Sequence, residues 1–319
     1  MKLLVTGGAG YIGSHLVREL ARSEQYKITI ADDLSNGCYT DTLTDVIEKR
    51  QINFHKCDLF HGEHVKELFD RFRFDAVIHL AASVDVGESV EKPLLYYQNN
   101  VASTLNVLSA MHCYGIKKFI FASSAAVYTT ECPYAHSKAF IEEVCRHITM
   151  DDPAFGAITL RLFNVAGGDC RSKSHLIPKL LRAIHNNEEF TIYGANHATS
   201  DGTCIRDYIH VDDVVRAFIS ALDRVRPGHR SYNIGTGKGY SVREVIDKAK
   251  LITGKNVKTI DGPSRPGDSP KTIANINGTQ EELGWKPEKS IEEIIESSYA
   301  NLTKKIINFI PRFSSRAII

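Results

Sequence analysis

An apolar run, Lys2 to Thr6, stops at Gly7-Gly8-Ala9-Gly10-Tyr11-Ile12-Gly13, and a helical pattern, Ile12 to Ala21, follows at once. Strand, glycine turn and helix in direct succession open a parallel βαβ unit. In such a unit the turn lets backbone approach a pyrophosphate, whose charge then meets the helix N-terminus. The spacing is GxxGxxG rather than GxGxxG, and alone it marks only a tight strand-to-helix turn. Its context sharpens it: Asp32 stands 19 residues after Gly13, at the end of the second apolar run. A carboxylate there accepts hydrogen bonds from an adenosine ribose and repels a 2′-phosphate, so the expected cofactor is NAD rather than NADP. Asp58, after the third run, is placed either to reach an adenine amino group or to serve as a turn aspartate.

The first half continues the alternation. Lys27 to Ala31, Ile52 to His55, Ala76 to Leu80, Lys117 to Ser123 and Ala157 to Leu162 read as further strands, with helical segments such as His64 to Phe72 between them. That is the pattern of an α/β protein with a Rossmann-like, doubly wound parallel sheet. After Gly167 the order loosens, punctuated by Pro178, Gly194, Gly202, Pro227, Gly235, Gly237, Pro263 and Pro266. The expectation is a cofactor domain over residues 1–166 and a smaller C-terminal α/β substrate lobe formed mainly by 167–319, with a helix around 210–224 packing back on the first. The lobe would lie beyond the carboxyl ends of the strands, where open α/β sheets bind ligands.

Charge and cysteine usage narrow the partners. Lys plus Arg number 39 against 38 Asp plus Glu, a net charge of +1, which gives no reason to expect a nucleic-acid or anionic-membrane partner. The seven cysteines are odd in number and hold no CxxC pair, a pattern of reduced thiols in a cytoplasm. None of the 13 histidines forms HxxxH or pairs with cysteine at ligand spacing, so no metal is expected. The uncharged stretch from Pro93 to Ile116 is interrupted by Gln98, Asn99, Asn100, Ser103, Thr104 and Asn106. It reads as a helix buried on more than one face, the second face belonging to another subunit, and not as a membrane span.

The chemistry centres on Tyr134-Ala135-His136-Ser137-Lys138, which puts Tyr134 and Lys138 one turn apart on one helix face. An ammonium beside a phenol stabilises the phenolate, and a positive nicotinamide pushes the same way. Such a phenolate takes a proton from an alcohol while hydride leaves the same carbon. Ser123-Ser124 ends the fifth strand just upstream, so Ser124 is placed to hold the substrate oxygen. The expected catalytic group is Ser124, Tyr134 and Lys138.

These residues, with TGGAGYIGSH, VGESVEKPLLYYQNNV, RLFNVAG, GTCIRDYIHVDDVV, YNIGTGKGYSV and RPGD followed by EELGWKP, resemble the UDP-glucose 4-epimerase branch of the extended short-chain dehydrogenase/reductase family over nearly the whole chain. The resemblance implies a tightly held NAD⁺ that takes hydride from C4 of a UDP-hexose and returns it to the other face of a 4-keto sugar. It implies cofactor contacts from Gly7, Gly10, Tyr11, Ile12 and Gly13, from Asp32 and Asn36, and from Asp58 and Leu59. Leu80, Ala81, Ala82, Asn99 and Phe163 join them, with Tyr134 and Lys138. For the nucleotide sugar it implies Ser124 and Tyr134 at the hexose and Asn164 near the pyrophosphate. Leu176 and Tyr193 fall near the uracil, Arg206 and Arg265 on phosphates, and Asp268 on the ribose. From spacing alone, an Arg206–Asp207 ion pair and a surface turn at 265–268 are the plainer readings. A homodimer through the helix around Leu94 to Met111 and the Tyr134 helix is also implied.

Departures cluster at the cleft. Only Thr129 to Pro133 separate Tyr128 from Tyr134, where relatives have a longer connection; Val84 replaces a common lysine, and the loop Gly168 to Ser174 is short. Ala125 and Ala126 stand where sugar dehydratases carry an Asp-Glu pair, which disfavours dehydration. Thr272, where many relatives restricted to plain hexoses place a tyrosine, leaves space for a 2-acetamido group. The sequence supports a 4-epimerase for UDP-glucose/UDP-galactose, extending to the N-acetylhexosamines. An NAD-bound sugar-nucleotide binding protein with little turnover, or another NAD-dependent nucleotide-sugar oxidoreductase or decarboxylase, are the alternatives.

Overall fold

Leu3, Leu4 and Val5 are all fully buried, which a strand achieves only when both faces of its sheet are covered. They belong to β1 (Lys2–Thr6), at the middle of a parallel sheet with β2 (Lys27–Asp32), β3 (Asn53–Lys56), β4 (Ala76–His79), β5 (Lys118–Ser124) and β6 (Gly156–Leu162). The computed structural model describes residues 1–35, 40–50, 52–129, 131–172, 174–264 and 269–309, with the backbone alone at 40–42 and 305–309. Side chains alternate between two cores. Leu3, Val5, Ile28 and Ile30 pack with Leu16, Val17 and Phe218 on one face. On the other, Leu4, Val77 and Phe119 pack with Leu68, Val107 and Ile141.

Past β6 the chain forms the short strands β7 (Asn164–Ala166), β8 (Phe190–Tyr193), β9 (Ile205–Arg206) and β10 (Tyr208–His210). It returns to the sheet through the helix Val211–Arg224 and β11 (Gly228–Ile234), then adds β12 (Tyr240–Ser241), β13 (Thr259–Gly262) and β14 (Lys271–Thr272). The large sheet therefore has seven strands in the order β11-β6-β5-β4-β1-β2-β3. This corrects the sequence reading, which left residues 228–234 in the substrate lobe. GHRSYNI does not look like a buried strand because it is an edge strand, half solvated, and it pairs with β6 from Gly228↔Gly156 to Ile234↔Leu162.

The direction of winding reverses between β1 and β4, which opens a crevice at their carboxyl ends. Beyond that edge lie the paired strands β7·β10 and β8·β13, the small sheet β12-β9-β14, and a third core that includes Leu180, Ile184, Val245, Ile246, Ile294 and Ile295. The uncharged stretch forms the helices Pro93–Tyr96 and Ser103–Cys113 with one π-helical turn, Tyr97–Ala102, between them. Such turns are uncommon and often sit at functional sites.

Candidate active site

The crevice is walled first by the glycine turn. Gly7 has φ +67°, and a Cβ on it would fall 2.6 Å from the Ala81 amide nitrogen; one on Gly13 would fall 2.1 Å from the Gly7 carbonyl oxygen. These glycines let the turn after β1 lie directly against the 80–82 segment after β4, in the left-handed region at Gly7 that other residues rarely adopt. Gly10 leads into the helix Tyr11–Leu20 without a side-chain cap, so the first-turn N–H groups face the turn. Asp32 closes β2. Its Oδ2 accepts from the Ala9 amide at 2.9 Å and its Oδ1 from the Leu34 amide at 2.9 Å, while burial pushes its pKa up against those two bonds. Each oxygen retains a lone pair for a ribose hydroxyl. Narrow glycine turn, open helix start and terminal carboxylate together fit a dinucleotide.

Other expected cofactor residues divide by what holds them. Asp58 Oδ1 accepts from the Phe60 amide at 3.0 Å, so the turn role is present in the structure. Leu59 and Phe163 are buried, whereas Leu80, Ala81 and Ala82 are partly exposed along the crevice. Ile12 packs on the core beneath the turn. Tyr11 uses its side chain on the far lobe, donating from its hydroxyl to the Gly167 carbonyl at 2.6 Å. Asn36 lies outside the described residues.

Ser124 and Tyr134 meet. Ser124 ends β5, where its Oγ accepts from the Ala126 amide at 3.2 Å, and the chain passes through one 3₁₀ turn, Ala125–Tyr128. The helix Pro133–Asp151 then begins, started by Pro133 and capped by Cys132, so the short connection still brings the Tyr134 phenol to the Ser124 hydroxyl. Lys138 points the same way: its Nζ donates to the Ala122 carbonyl at 2.8 Å and lies 4.7 Å from the Phe121 ring centre. Burial pushes the Lys138 pKa down to about 7, with Glu142 acting upward. Burial also pushes the Tyr134 phenol up, and what opposes it is the hydrogen bond with Ser124. This modifies the expectation that Lys138 lowers the phenol pKa: within the protein alone Ser124 does so, and a positively charged nicotinamide would add to it.

Asn100 and His79, which the motifs did not single out, hold this arrangement together with Asn99, expected at the cofactor. Asn100, on the π-helical turn, is buried; its Oδ1 accepts from the Ser83 amide at 2.8 Å and its Nδ2 donates to the Ser83 carbonyl and the Ser137 hydroxyl. It thus joins the loop after β4 to the helix that carries Tyr134 and Lys138. Asn99 Nδ2 donates to Ser83 Oγ at 2.7 Å. His79 is buried between Thr6 Oγ1 and Thr104 Oγ1, stacked 6.0 Å from Phe121, and burial drives its pKa to about 3, which keeps it neutral. The tandem asparagines were the visible signal; the π-helical turn that turns Asn100 inward was not.

In the second lobe, Asn164 donates to the Asp207 carbonyl at 3.0 Å beside the crevice. Arg206 donates from Nη1 to the Ser269 carbonyl at 2.7 Å, next to the segment 265–268, and stands opposite Thr272 across β9 and β14. The plainer reading of an Arg206–Asp207 pair gives way to a different arrangement. Asp207 is buried, and its carboxylate accepts from Thr236 Oγ1 and the amides of Thr236, Gly237 and Ala274. Tyr193 lies under Lys179 Nζ at 5.2 Å from its ring centre, and Leu176 opens the helix Leu176–Asn186. Arg265 and Asp268 lie outside the described residues. Among the described residues no group of His, Cys, Asp and Glu could hold a metal ion.

A family model described as the NAD dependent epimerase/dehydratase family matches residues 3–235. The chain belongs to that family. As a family member it is 37% identical to UDP-glucose 4-epimerase 4 of Oryza sativa subsp. japonica, with 93% of this chain and 89% of that protein covered. It is 36% identical to UDP-glucose 4-epimerase of Bacillus subtilis, with 94% and 96% covered. Among solved structures it resembles UDP-glucose 4-epimerase from Bifidobacterium longum in complex with NAD⁺ and UDP. That match has a TM-score of 0.90 and 34% identity over 97% of this chain and 100% of that one. The UDP-Glc/GlcNAc 4-epimerase of Campylobacter jejuni gives a TM-score of 0.82 and 36% identity over 95% and 99%.

Proposed function

We propose that this chain is an NAD-dependent 4-epimerase of UDP-hexoses. The observation that carries the reading is the placement of Ser124 at the end of β5, where it acts on the buried Tyr134 phenol against the upward push of burial, with Lys138 one turn below and anchored on Ala122, beside the glycine crevice of an epimerase/dehydratase fold. The named relatives and neighbours, all UDP-sugar 4-epimerases, support it. When bound, NAD⁺ supplies the hydride acceptor at the crevice. The glycine turn, Asp32, Asp58, the 80–82 segment, Asn99 and Phe163 would hold it there. Ser124 orients the C4 oxygen of the sugar, and Tyr134 takes the C4 hydroxyl proton as the carbon is oxidised, returning it when the 4-keto sugar is reduced from its other face. Lys138 adds positive charge near the developing phenolate. Asn164, Leu176, Tyr193 and Arg206, with Arg265 and Asp268, hold the uridine diphosphate while the hexose turns.

Two features refine the substrate. Ala125 and Ala126, on the 3₁₀ turn, offer no acid to expel a hydroxyl, so the reaction stops at epimerisation. Thr272, half-buried beside Arg206, leaves room that a tyrosine would fill, so UDP-N-acetylhexosamines are accepted too. A homodimer is part of the reading: Val90, Leu94, Leu95 and Phe140 are exposed on adjoining helices, Leu94 to 74%. The cytoplasm is the proposed compartment. All six described cysteines are free, and no helix among the described residues is long and apolar enough to cross a membrane.

The deciding experiment follows UDP-galactose and, separately, UDP-N-acetylgalactosamine by proton NMR with the purified protein and NAD⁺. Both epimers should form, and Tyr134→Phe should slow the reaction by about a hundredfold or more. Bound NAD⁺ without conversion of either sugar would refute the epimerase and favour a binding protein.

A further inference from the structure

A buried carboxylate that the reading above does not use lies one helical turn beyond Lys138. Glu142 is 5% exposed. Ser123 Oγ donates to its Oε1 at 2.5 Å, Arg161 grips both oxygens from Nε at 3.0 and 3.1 Å and from Nη2 at 2.5 Å, and Ser231 Oγ reaches Oε2 at 3.5 Å. Ser123 stands between Ala122, whose carbonyl receives Lys138, and Ser124. One carboxylate on the catalytic helix therefore ties down the strand residue flanked by both catalytic anchors. Arg161 extends the tie outward. Its Nη1 donates to the Tyr128 hydroxyl at 3.1 Å, its guanidinium lies 5.1 Å from the Tyr128 ring centre, and the Tyr128 hydroxyl donates to Asn233 at 2.6 Å. Tyr128, although 56% exposed, is thus anchored at the end of the 3₁₀ turn that begins the short connection to Tyr134.

We propose that Glu142, acting through Ser123 and Arg161, is a positioning residue for Ser124 and Lys138, and that Tyr128 closes the same brace over the shortened connection. The proposal rests on the epimerase reading for its activity arm but not for its structural one. A bidentate Arg–carboxylate pair fixes direction as well as distance, which suits it to hold a strand end and a helix in register. The charge of Glu142 does a second job. The groups facing Lys138 are Tyr134 and Glu142 on its own helix, the Ala122 carbonyl and Phe121 ring on β5, and His79 on β4 beyond that ring. Those facing Glu142 are Ser123, Arg161, Ser231 and His229, with Lys138 and Cys145 on its own helix. Burial keeps His79 and His229 on the neutral side. Glu142 is thus the acidic partner that opposes the loss of the Lys138 proton, and an amide in its place leaves the Arg161 charge acting the other way.

Three variants test this on the purified full-length protein. Tyr128→Phe removes only an exposed hydroxyl. Amide hydrogen exchange over residues 125–129 should quicken about tenfold, and kcat should fall about fivefold with KM held within about twofold. Glu142→Gln should move the alkaline limb of the kcat–pH profile down by about one pH unit, a shift that a merely structural role would not produce. Should Glu142→Gln fail to fold, Ser123→Ala removes one donor and no charge, and it should lower kcat about fivefold at unchanged KM. Unchanged exchange in Tyr128→Phe, a Glu142→Gln profile superposed on the wild type, or a Ser123→Ala enzyme as fast as the wild type each overturns the proposal. If the wild-type protein converts no UDP-hexose, the epimerase reading fails while the exchange measurement still decides the brace.

Discussion

Lys138, proposed here for the chemistry, shows how a buried ammonium weakens the fold that holds it. Its ordinary pKa of 10.5 falls to about 7 because a buried ammonium is poorly solvated. Between those values the unfolded chain holds a proton that the folded chain does not, so stability rises with pH across that window. The cost is present in full below it. Replacing Lys138 with Met should therefore stabilise the protein near pH 6 by on the order of a few kcal/mol, while removing activity. The gap between variant and wild type should close as pH rises toward about 10. Thermal unfolding of both proteins at the two pH values checks this, and a gap independent of pH would show that the ammonium is not the source. The motif reading proposed Tyr134 and Lys138 because helix periodicity puts positions i and i+4 together, and Ser124 because it ends the strand just upstream. It did not reveal that Ser124 opposes the upward shift of the Tyr134 phenol, since that approach brings a strand end to a helix across a turn.

At the scale of elements, the π-helical turn Tyr97–Ala102 decides more than its length suggests. It aims Asn100 inward, where three hydrogen bonds join the loop after β4 to the helix that carries Tyr134. Asn100→Ala leaves the buried Ser83 backbone groups without these partners, and each such loss costs about 1–3 kcal/mol. We expect a destabilisation of about 2–4 kcal/mol in urea denaturation, with weaker NAD⁺ binding because the 80–83 loop loses its anchor. Full retention of both would refute the anchoring role. The stretch was legible as an uncharged helix interrupted by amides. The extra residue in one turn was not, because no local signal in YQNNVA distinguishes a π-turn from an α-turn.

For the whole molecule, the proposed homodimer would cover Leu94 and Leu95, which are exposed side by side on the helix Pro93–Tyr96. Leu94→Glu is expected to halve the mass seen by light scattering at micromolar concentration; a wild-type protein that is already monomeric would refute the dimer. The sequence by itself determined the parallel sheet, the glycine crevice, the terminal Asp32 and the Tyr134–Lys138 face. Each is signalled by residues within one βα unit or one helical turn, where spacing along the chain sets spacing in three dimensions. Tertiary structure alone decided the seventh strand, the buried Asp207 with its four donors, and the Glu142–Arg161–Tyr128 brace. Their partners lie tens of residues apart in the sequence. Polar residues such as those of GHRSYNI read as loop until a neighbouring strand or a buried partner satisfies them.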